Sequence, residues 1–291
     1  MSPAGPIGRT PVPAPVLVLT AILSVQCGSA VARARFDTAG PAGFTLLRLG
    51  ISGLLLCAAL RPRPWRWPTG AWRAAVLFGA TMAAMNLCFY LAIQTVPLGV
   101  AITLEFCGPL LVALGQTRRL ADLAWALLAV AGVVLLGAGG GTSAPLPGLL
   151  LALLAGLFWG GYILLSARVG RLLPGTDGLA VALCVAALLT LPFGARGVGR
   201  SLDQPSVLLA GVAVAVLSSV VPYTCELAAL RRLPTRVFGV LMSLEPAVGA
   251  VVGLVALGQL LHAREVTALL LVSGASAGVT FGPRESLPPG G

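Results

Sequence analysis

The chain has 291 residues, of which 57% are hydrophobic and only 10% are charged, and its mean hydropathy is +0.97. This composition excludes a soluble globular protein, whose surface would have to face water, and it indicates a helical membrane protein. The apolar runs are continuous, whereas a β-barrel would show alternating segments of about ten residues. The net charge is +10 and no residue is a lysine, which excludes a Walker A loop and Schiff-base chemistry.

Ten apolar stretches are long enough to cross a bilayer as α-helices. In chain order they cover 14–32, 41–60, 74–94, 98–116, 121–138, 148–167, 177–194, 206–229, 235–257 and 264–282. Most arginines then fall on the side of the two termini, and the other side holds Arg33, Arg35, Arg196, Arg200 and Arg264. The positive-inside rule therefore predicts that both termini are cytoplasmic.

Cysteine and histidine give no sign of a metal or cofactor. The six cysteines lie inside apolar spans without a C-x-x-C pair, and His262 is the one histidine. Buried free thiols act as small hydrophobic groups, and one histidine cannot build a zinc site alone. We therefore predict no metal site and no cofactor.

The two halves of the chain match each other. "VALGQ" occurs at 112–116 and again at 255–259. Three further matches follow at a constant spacing: Pro97 with Pro234, Pro109 with Pro246, and Cys88 with Cys225. We predict one repeat over 1–143 and a second over 144–291, each with five spans. Because five is odd, the second repeat is inverted, so the predicted fold is an all-α integral membrane protein of ten transmembrane helices in two inverted five-helix repeats. Such repeats are typical of secondary transporters.

Two carboxylates, Glu105 and Glu245, stand in the middle of apolar spans. A charged group at this depth is costly and is usually functional or paired. Each glutamate is either a structural carboxylate hydrogen-bonded between helices or a group that exchanges protons or binds a substrate amine. Pro109 and Pro246 lie close to them, and each is predicted to kink its helix because it cannot donate to the carbonyl one turn back.

Arg48 is the one cation within a predicted span. It either reaches toward the interface or pairs with a glutamate or with a substrate carboxylate. An amino acid carries both an ammonium and a carboxylate, which Glu105 or Glu245 together with Arg48 would complement. Glu226 lies five to six residues before the arginine pair at 231–232, and it is predicted to form an interfacial ion pair with it rather than to be a coupling site.

Further polar and aromatic side chains could line a cavity. Asn86, Tyr90 and Gln94 follow one face of the third span, and Tyr223 stands opposite Asn86 in the repeat alignment. Such residues hydrogen-bond between helices about as often as they contact substrate. On the sixth span, the side chains that either form a cavity wall or lie at the membrane interface are Trp159 and Tyr162.

Three segments resemble the EamA family of the drug/metabolite transporter superfamily, and within it the threonine/homoserine exporter group. They read "TVPLGVAITLEFCGPLLVAL" (95–114), "LFWGGYILLSARVG" (157–170) and "RLPTRVFGVLMSLEPAVGAVVGLVALGQ" (232–259). The resemblance implies ten helices, a 5+5 inverted repeat, a central cavity and export of a small metabolite driven by an ion gradient across the bacterial inner membrane. The first span departs from the family, since "SVQCGSA" (24–30) replaces its aromatic-rich W-G or W-A stretch.

We therefore predict a secondary transporter, not an enzyme, that exports small metabolites such as amino acids of the threonine/homoserine type by alternating access. Its partners are the lipid bilayer and a small-molecule substrate, not nucleic acid, and no oligomeric state is predicted. A transporter of the same fold for drugs or other metabolites is one alternative. A membrane-embedded enzyme acting on lipid-linked substrates would need several histidines, aspartates or arginines at one interface, and a passive channel would not need two inverted halves.

Overall fold

The computed structural model describes residues 12–115, 120–137, 145–173, 176–201, 203–230, 232–233 and 235–281. Within these ranges the regular elements are helices. They are α1 (Ala14–Arg33), α2 (Phe36–Leu60), α3 (Thr69–Thr95), α4 (Leu98–Glu105), α5 (Cys107–Gly115), α6 (Leu120–Gly137), α7 (Leu146–Leu172), α8 (Asp177–Ser201), α9 (Pro205–Ala215), α10 (Val221–Leu230), α11 (Thr235–Met242), α12 (Glu245–Leu257) and α13 (Ala263–Phe281). A short 3-10 turn covers Pro64–Arg66, and a π-helical turn, Val216–Val220, joins α9 to α10.

In the described part of the chain, eight helical segments are long and apolar enough to cross a membrane. They are Ala14–Arg33, Phe36–Leu60, Thr69–Thr95, Leu98–Gly115, Leu146–Leu172, Asp177–Ser201, Pro205–Glu226 and Val237–Leu257. The predicted class, an all-helical multi-pass membrane protein, is confirmed. The count of ten spans is not confirmed, because the remaining two coincide with α6, whose apolar part is only Leu123–Leu136, and with α13, which is not among the eight.

Proline marks the beginnings of several helices. Pro13, Pro68, Pro97 and Pro145 stand directly before α1, α3, α4 and α7. The ring of proline fixes φ near its helical value, and the missing N–H is not needed at a helix start.

The second copy of "VALGQ" ends one helix and caps another. Gly258, at φ +65°, terminates α12, and the N–H groups of Gly258 and Gln259 bond the carbonyls of Leu254 and Gly253. This is the pattern of a left-handed helix end, which favours glycine. The side-chain oxygen of Gln259 then accepts the Leu98 N–H of α4 at 2.8 Å. The motif therefore joins α12 in the second half of the chain to the start of α4 in the first.

Helices pack in pairs that join the two halves of the chain: α2 with α8, α3 with α7, α1 with α10, α4 with α12, and α6 with α13. Small residues permit the close approaches. A Cβ on Gly79 would lie 2.6 Å from the Ala182 carbonyl oxygen, and one on Gly53 would lie 3.1 Å from Cys184 Sγ. Small residues at such crossings let helix backbones approach in a membrane.

Two spans are interrupted close to the prolines that are predicted to kink them, and we call each interruption a break. The fourth span stops at Glu105 and resumes as α5, and the ninth stops at Met242 and resumes as α12. Pro109 and Pro246 have no N–H to give to the carbonyls of Glu105 and Met242. Pro246 lies in the first turn of α12, where no donor is required. Each break therefore leaves two short half-helices that meet inside the protein.

Candidate substrate and coupling site

The charged residues of the predicted site lie near the middle of their spans. Arg48 is the central residue of the 25-residue helix α2. Glu105 is the last residue of α4, and Glu245 is the first residue of α12. The two glutamates therefore stand at the breaks of the two discontinuous spans.

The π-helical turn positions Arg48. Val221 donates its N–H to the Val216 carbonyl, five residues back, and Pro222 has no N–H to give to Ser218. Arg48 Nη2 donates instead to the Ser218 carbonyl oxygen at 3.1 Å. A carbonyl freed from helical hydrogen bonding thus holds Arg48.

The same turn binds α1. The hydroxyl of Ser24 donates to the carbonyl of Leu217 at 2.6 Å. Gly28, one turn further along α1, packs directly against Ser218 Oγ, a contact that leaves no room for a Cβ. The first helix therefore lies against the turn that holds Arg48.

Tyr90 lies beneath Arg48. The guanidinium carbon is 5.8 Å from the Tyr90 ring centroid, a cation–π distance. The ring is fully buried and packs against Phe36 with centroids 5.7 Å apart. Within the described residues, neither Arg48 Nε nor the Tyr90 hydroxyl has a hydrogen-bond partner. Both are therefore buried polar atoms that the described part of the chain leaves without a hydrogen bond.

Glu245 is held by a residue that sequence reasoning missed. Gln26 Nε2 donates to Glu245 Oε1 at 3.1 Å, and both side chains are buried. As far as the structure describes the chain, Glu245 Oε2 and Gln26 Oε1 have no partner. The available signal was the amide itself, a polar side chain in the middle of the apolar first span.

Glu105 connects the arginine to the second carboxylate. It is half-buried and interacts electrostatically with Arg48 and with Glu245. Glu226, which was predicted to form an interfacial ion pair, interacts electrostatically with Glu245. Arg232, one of the arginines predicted to pair with it, donates to the Val12 carbonyl at 3.2 Å. Glu105 therefore lies within electrostatic range of both Arg48 and Glu245, and pairing with an opposite charge such as Arg48 is how a carboxylate is retained inside a membrane.

Helix α7 packs against the break after Glu105. A Cβ on Gly156 would lie 2.6 Å from the Glu105 carbonyl oxygen, and Gly108 packs against the Gly156 carbonyl. One turn along, Trp159 contacts Phe106 edge to face at 5.5 Å. Trp159 therefore lies beside the break. Tyr162 packs instead against Phe78 at 5.1 Å, in a separate apolar cluster with Met82 and Leu183.

The three polar residues predicted to share one face of the third span have different surroundings. Tyr90 lies against Arg48, whereas the Asn86 amide donates to the Met82 carbonyl of its own helix at 2.9 Å. Gln94 is exposed, and its carbonyl accepts Arg33 Nη2 at 2.8 Å. The side chain of Tyr223 lies outside the described residues.

Known proteins resemble the chain along almost its whole length. The EamA-like transporter family model matches residues 146–281. Threonine/homoserine exporter RhtA of Salmonella typhimurium strain SL1344 is 43% identical over 280 residues, 95% of each chain. The exporter RhtA of Escherichia coli strain K12 is 42% identical over 284 residues, 97% of this chain and 96% of that protein. A solved crystal structure, 23% identical, covers 92% of this chain and 97% of its own with a TM-score of 0.59, which indicates a shared fold.

Proposed function

Because the chain belongs to the EamA-like transporter family, we propose that it exports small amino acids of the threonine and homoserine type across the bacterial inner membrane. Membership confirms the predicted family and the prediction of a transporter instead of an enzyme, since the relatives are exporters. The observation that carries the substrate class is the position of Glu105, in the middle of its span and within electrostatic range of both Arg48 and Glu245.

The site offers a complement for each end of an amino acid. The Arg48 guanidinium has an unpartnered Nε among the described residues and would bind the substrate carboxylate. Glu105 and the free Oε2 of Glu245 would accept hydrogen bonds from the ammonium group. The unpartnered amide oxygen of Gln26 is an acceptor for a side-chain hydroxyl, which threonine and homoserine both carry.

Ten transmembrane helices in two inverted repeats, 1–143 and 144–291, are part of this proposal. Helices α4 and α11 support it, because each has eight residues and each begins directly after one of the matched prolines, Pro97 and Pro234. The breaks that follow lie at equivalent positions.

The helix packing also supports inverted repeats. Under the repeat alignment, the contact of α3 with α7 corresponds to that of α10 with α1, and the pairs α2–α8 and α6–α13 correspond to themselves. Two similar halves of this kind can rock about a central site and open it to either side in turn. Alternating access is therefore the mechanism we propose.

The proposed orientation rests on the distribution of the arginines, since the positive-inside rule favours both termini in the cytoplasm. Arg33, which donates to the backbone carbonyl of Gln94, then lies on the outer side. An ion gradient drives export, with Glu105 or Glu245 taking up a proton when the substrate amine leaves. A carboxylate can hold either an ammonium or a proton, so exchange of the two couples the movements.

Efflux from proteoliposomes tests the proposal. Vesicles containing the purified protein would be loaded with labelled threonine, homoserine or glutamate. We expect efflux of the first two and none of glutamate, because its second carboxylate would meet Glu105 and Glu245. Arg48→Gln should abolish efflux. Equal efflux of all three amino acids, or none of any, would contradict the proposed substrate class.

A further inference from the structure

We propose that a groove at the ends of α2 and α7 binds the headgroup of an anionic phospholipid. We call it the arginine groove. It has a volume of about 560 Å³ and is lined by Leu60, Arg61, Arg63, Arg66, Trp67, Pro68, Leu173 and Asp177. These residues join the ends of α2 and α7 to the start of α8, so the groove opens at the level where spans leave the bilayer.

The charge of the arginine groove suits a phosphate group. Arg61, Arg63 and Arg66 line it, and Asp177 is the one acidic residue among its lining side chains. The three arginines are exposed, so their guanidinium groups are accessible to a ligand. Planar guanidinium groups bind phosphate oxygens through paired hydrogen bonds.

Arg61 occupies an unusual backbone position. It ends α2 with φ +50°, and it is the one residue other than glycine with a positive φ among the described residues. Glycine is the usual residue at such a helix end because it adopts this conformation without strain. An arginine at this position strains the backbone, so we infer that it is kept for its side chain, which lines the groove.

The aromatic residues of the loop belong to the membrane interface. Trp67 packs against Trp72 with ring centroids 5.8 Å apart, and Trp72 Nε1 donates to the Pro64 carbonyl at 2.9 Å. Trp65, on the same turn, is 75% exposed. Tryptophan concentrates at headgroup level, where its ring contacts lipid and its N–H remains bonded. These contacts hold the loop against α3, and its tryptophans suit the headgroup level.

The groove is separate from the transport site. Arg48 and Leu60 are twelve residues apart on α2, which corresponds to about 18 Å along a helix. Leu60 and Leu173 give the groove an apolar side at the ends of two spans. A lipid satisfies both features, because its phosphate meets the arginines while its acyl chains follow the helices.

Native mass spectrometry and thermal unfolding of the purified protein test the proposal, with phosphatidylglycerol, phosphatidylcholine or inorganic phosphate as the probe. We expect bound phosphatidylglycerol and a raised Tm for the wild type, and little effect of the other two. Equal effects of phosphatidylcholine would contradict a charge-selective site. An equal rise with inorganic phosphate would show an anion site without lipid recognition and would overturn the proposal.

Charge-matched variants locate the effect. Arg63→Gln with Arg66→Gln should weaken phosphatidylglycerol binding at least tenfold. Arg196→Gln with Arg200→Gln removes the same charge at the far end of α8 and should leave binding unchanged. Asp177→Asn should strengthen binding, a gain that misfolding cannot produce. Equal weakening by both arginine pairs, or no gain in the Asp177 variant, would contradict binding in the groove.

Discussion

Replacement of Gln26 by leucine tests whether Glu245 must be held in place for transport. The change keeps most of the side-chain volume and removes the Nε2 donor that lies 3.1 Å from Glu245 Oε1. Both residues are buried, so water would not fully replace the lost bond. Glu245 should then lose the orientation in which we propose that it meets the substrate amine.

The size of the effect follows from the type of bond. A hydrogen bond to a charged group contributes about 1.5–3 kcal/mol. A change of about 1.4 kcal/mol corresponds to a factor of ten. We therefore expect the transport efficiency, kcat/KM for threonine efflux, to fall by about ten- to hundredfold.

Proteoliposome efflux across a range of internal threonine concentrations measures kcat/KM directly. Thr190→Val is the matched control, because Thr190 is also buried but its hydroxyl bonds only carbonyls of its own helix, those of Ala186 and Ala187. Its transport should change less than about twofold, since a neutral hydrogen bond contributes about 1 kcal/mol, mainly to stability. Unchanged kcat/KM in monodisperse Gln26→Leu protein would refute a role for Gln26 in holding Glu245.

Three further changes test other parts of the structure. Arg48→Lys keeps the positive charge but loses the planar guanidinium group and its packing on the Tyr90 ring. KM for threonine should therefore rise at least tenfold, and an unchanged KM would exclude carboxylate binding by this residue. Gly156→Val would place a side chain against the Glu105 carbonyl. Because such overpacking lowers the stability of the fold by about 1–3 kcal/mol, Tm in detergent should fall, and a wild-type Tm would contradict the close approach of α7. The Sγ atoms of Cys57 and Cys184 are 3.6 Å apart, so a mild oxidant should form a disulfide between them. Mass spectrometry of the digested protein would detect the linked peptides, and their absence would contradict the packing of α2 on α8.

The spans could be predicted from the sequence because apolar length is what a bilayer requires. The ends were less accurate, since helices continue past the hydrocarbon. The predicted span 148–167 corresponds to α7, which extends to Leu172, and 74–94 corresponds to α3, which begins at Thr69. Polar residues such as Arg168 end the apolar run without ending the helix.

The local sequence also predicted where two helices are disturbed, although not whether each would bend or be interrupted. Pro109 and Pro246 identified the region, because a missing N–H disturbs any helix. Whether the chain bends or breaks depends on what packs there. At the first break, Gly156 of α7 lies against the Glu105 carbonyl, a contact that no local pattern encodes.

The partners of the charged residues could not be predicted, because they depend on tertiary contacts. Arg48 and the glutamates were identified from their depth in apolar spans. The Ser218 carbonyl that binds Arg48 and the Gln26 amide that binds Glu245 lie 170 and 219 residues away in sequence. Only the folded chain shows these pairs.

Threonine efflux driven by an imposed pH gradient tests the central claim, that the carboxylates at the two helix breaks couple transport. Wild type, Glu105→Gln and Glu245→Gln would be compared in proteoliposomes, since each substitution keeps the shape of the side chain and removes its charge. We predict that all three proteins fold and that at least one variant loses gradient-stimulated efflux. Full stimulation in both variants would contradict coupling and would make both glutamates structural.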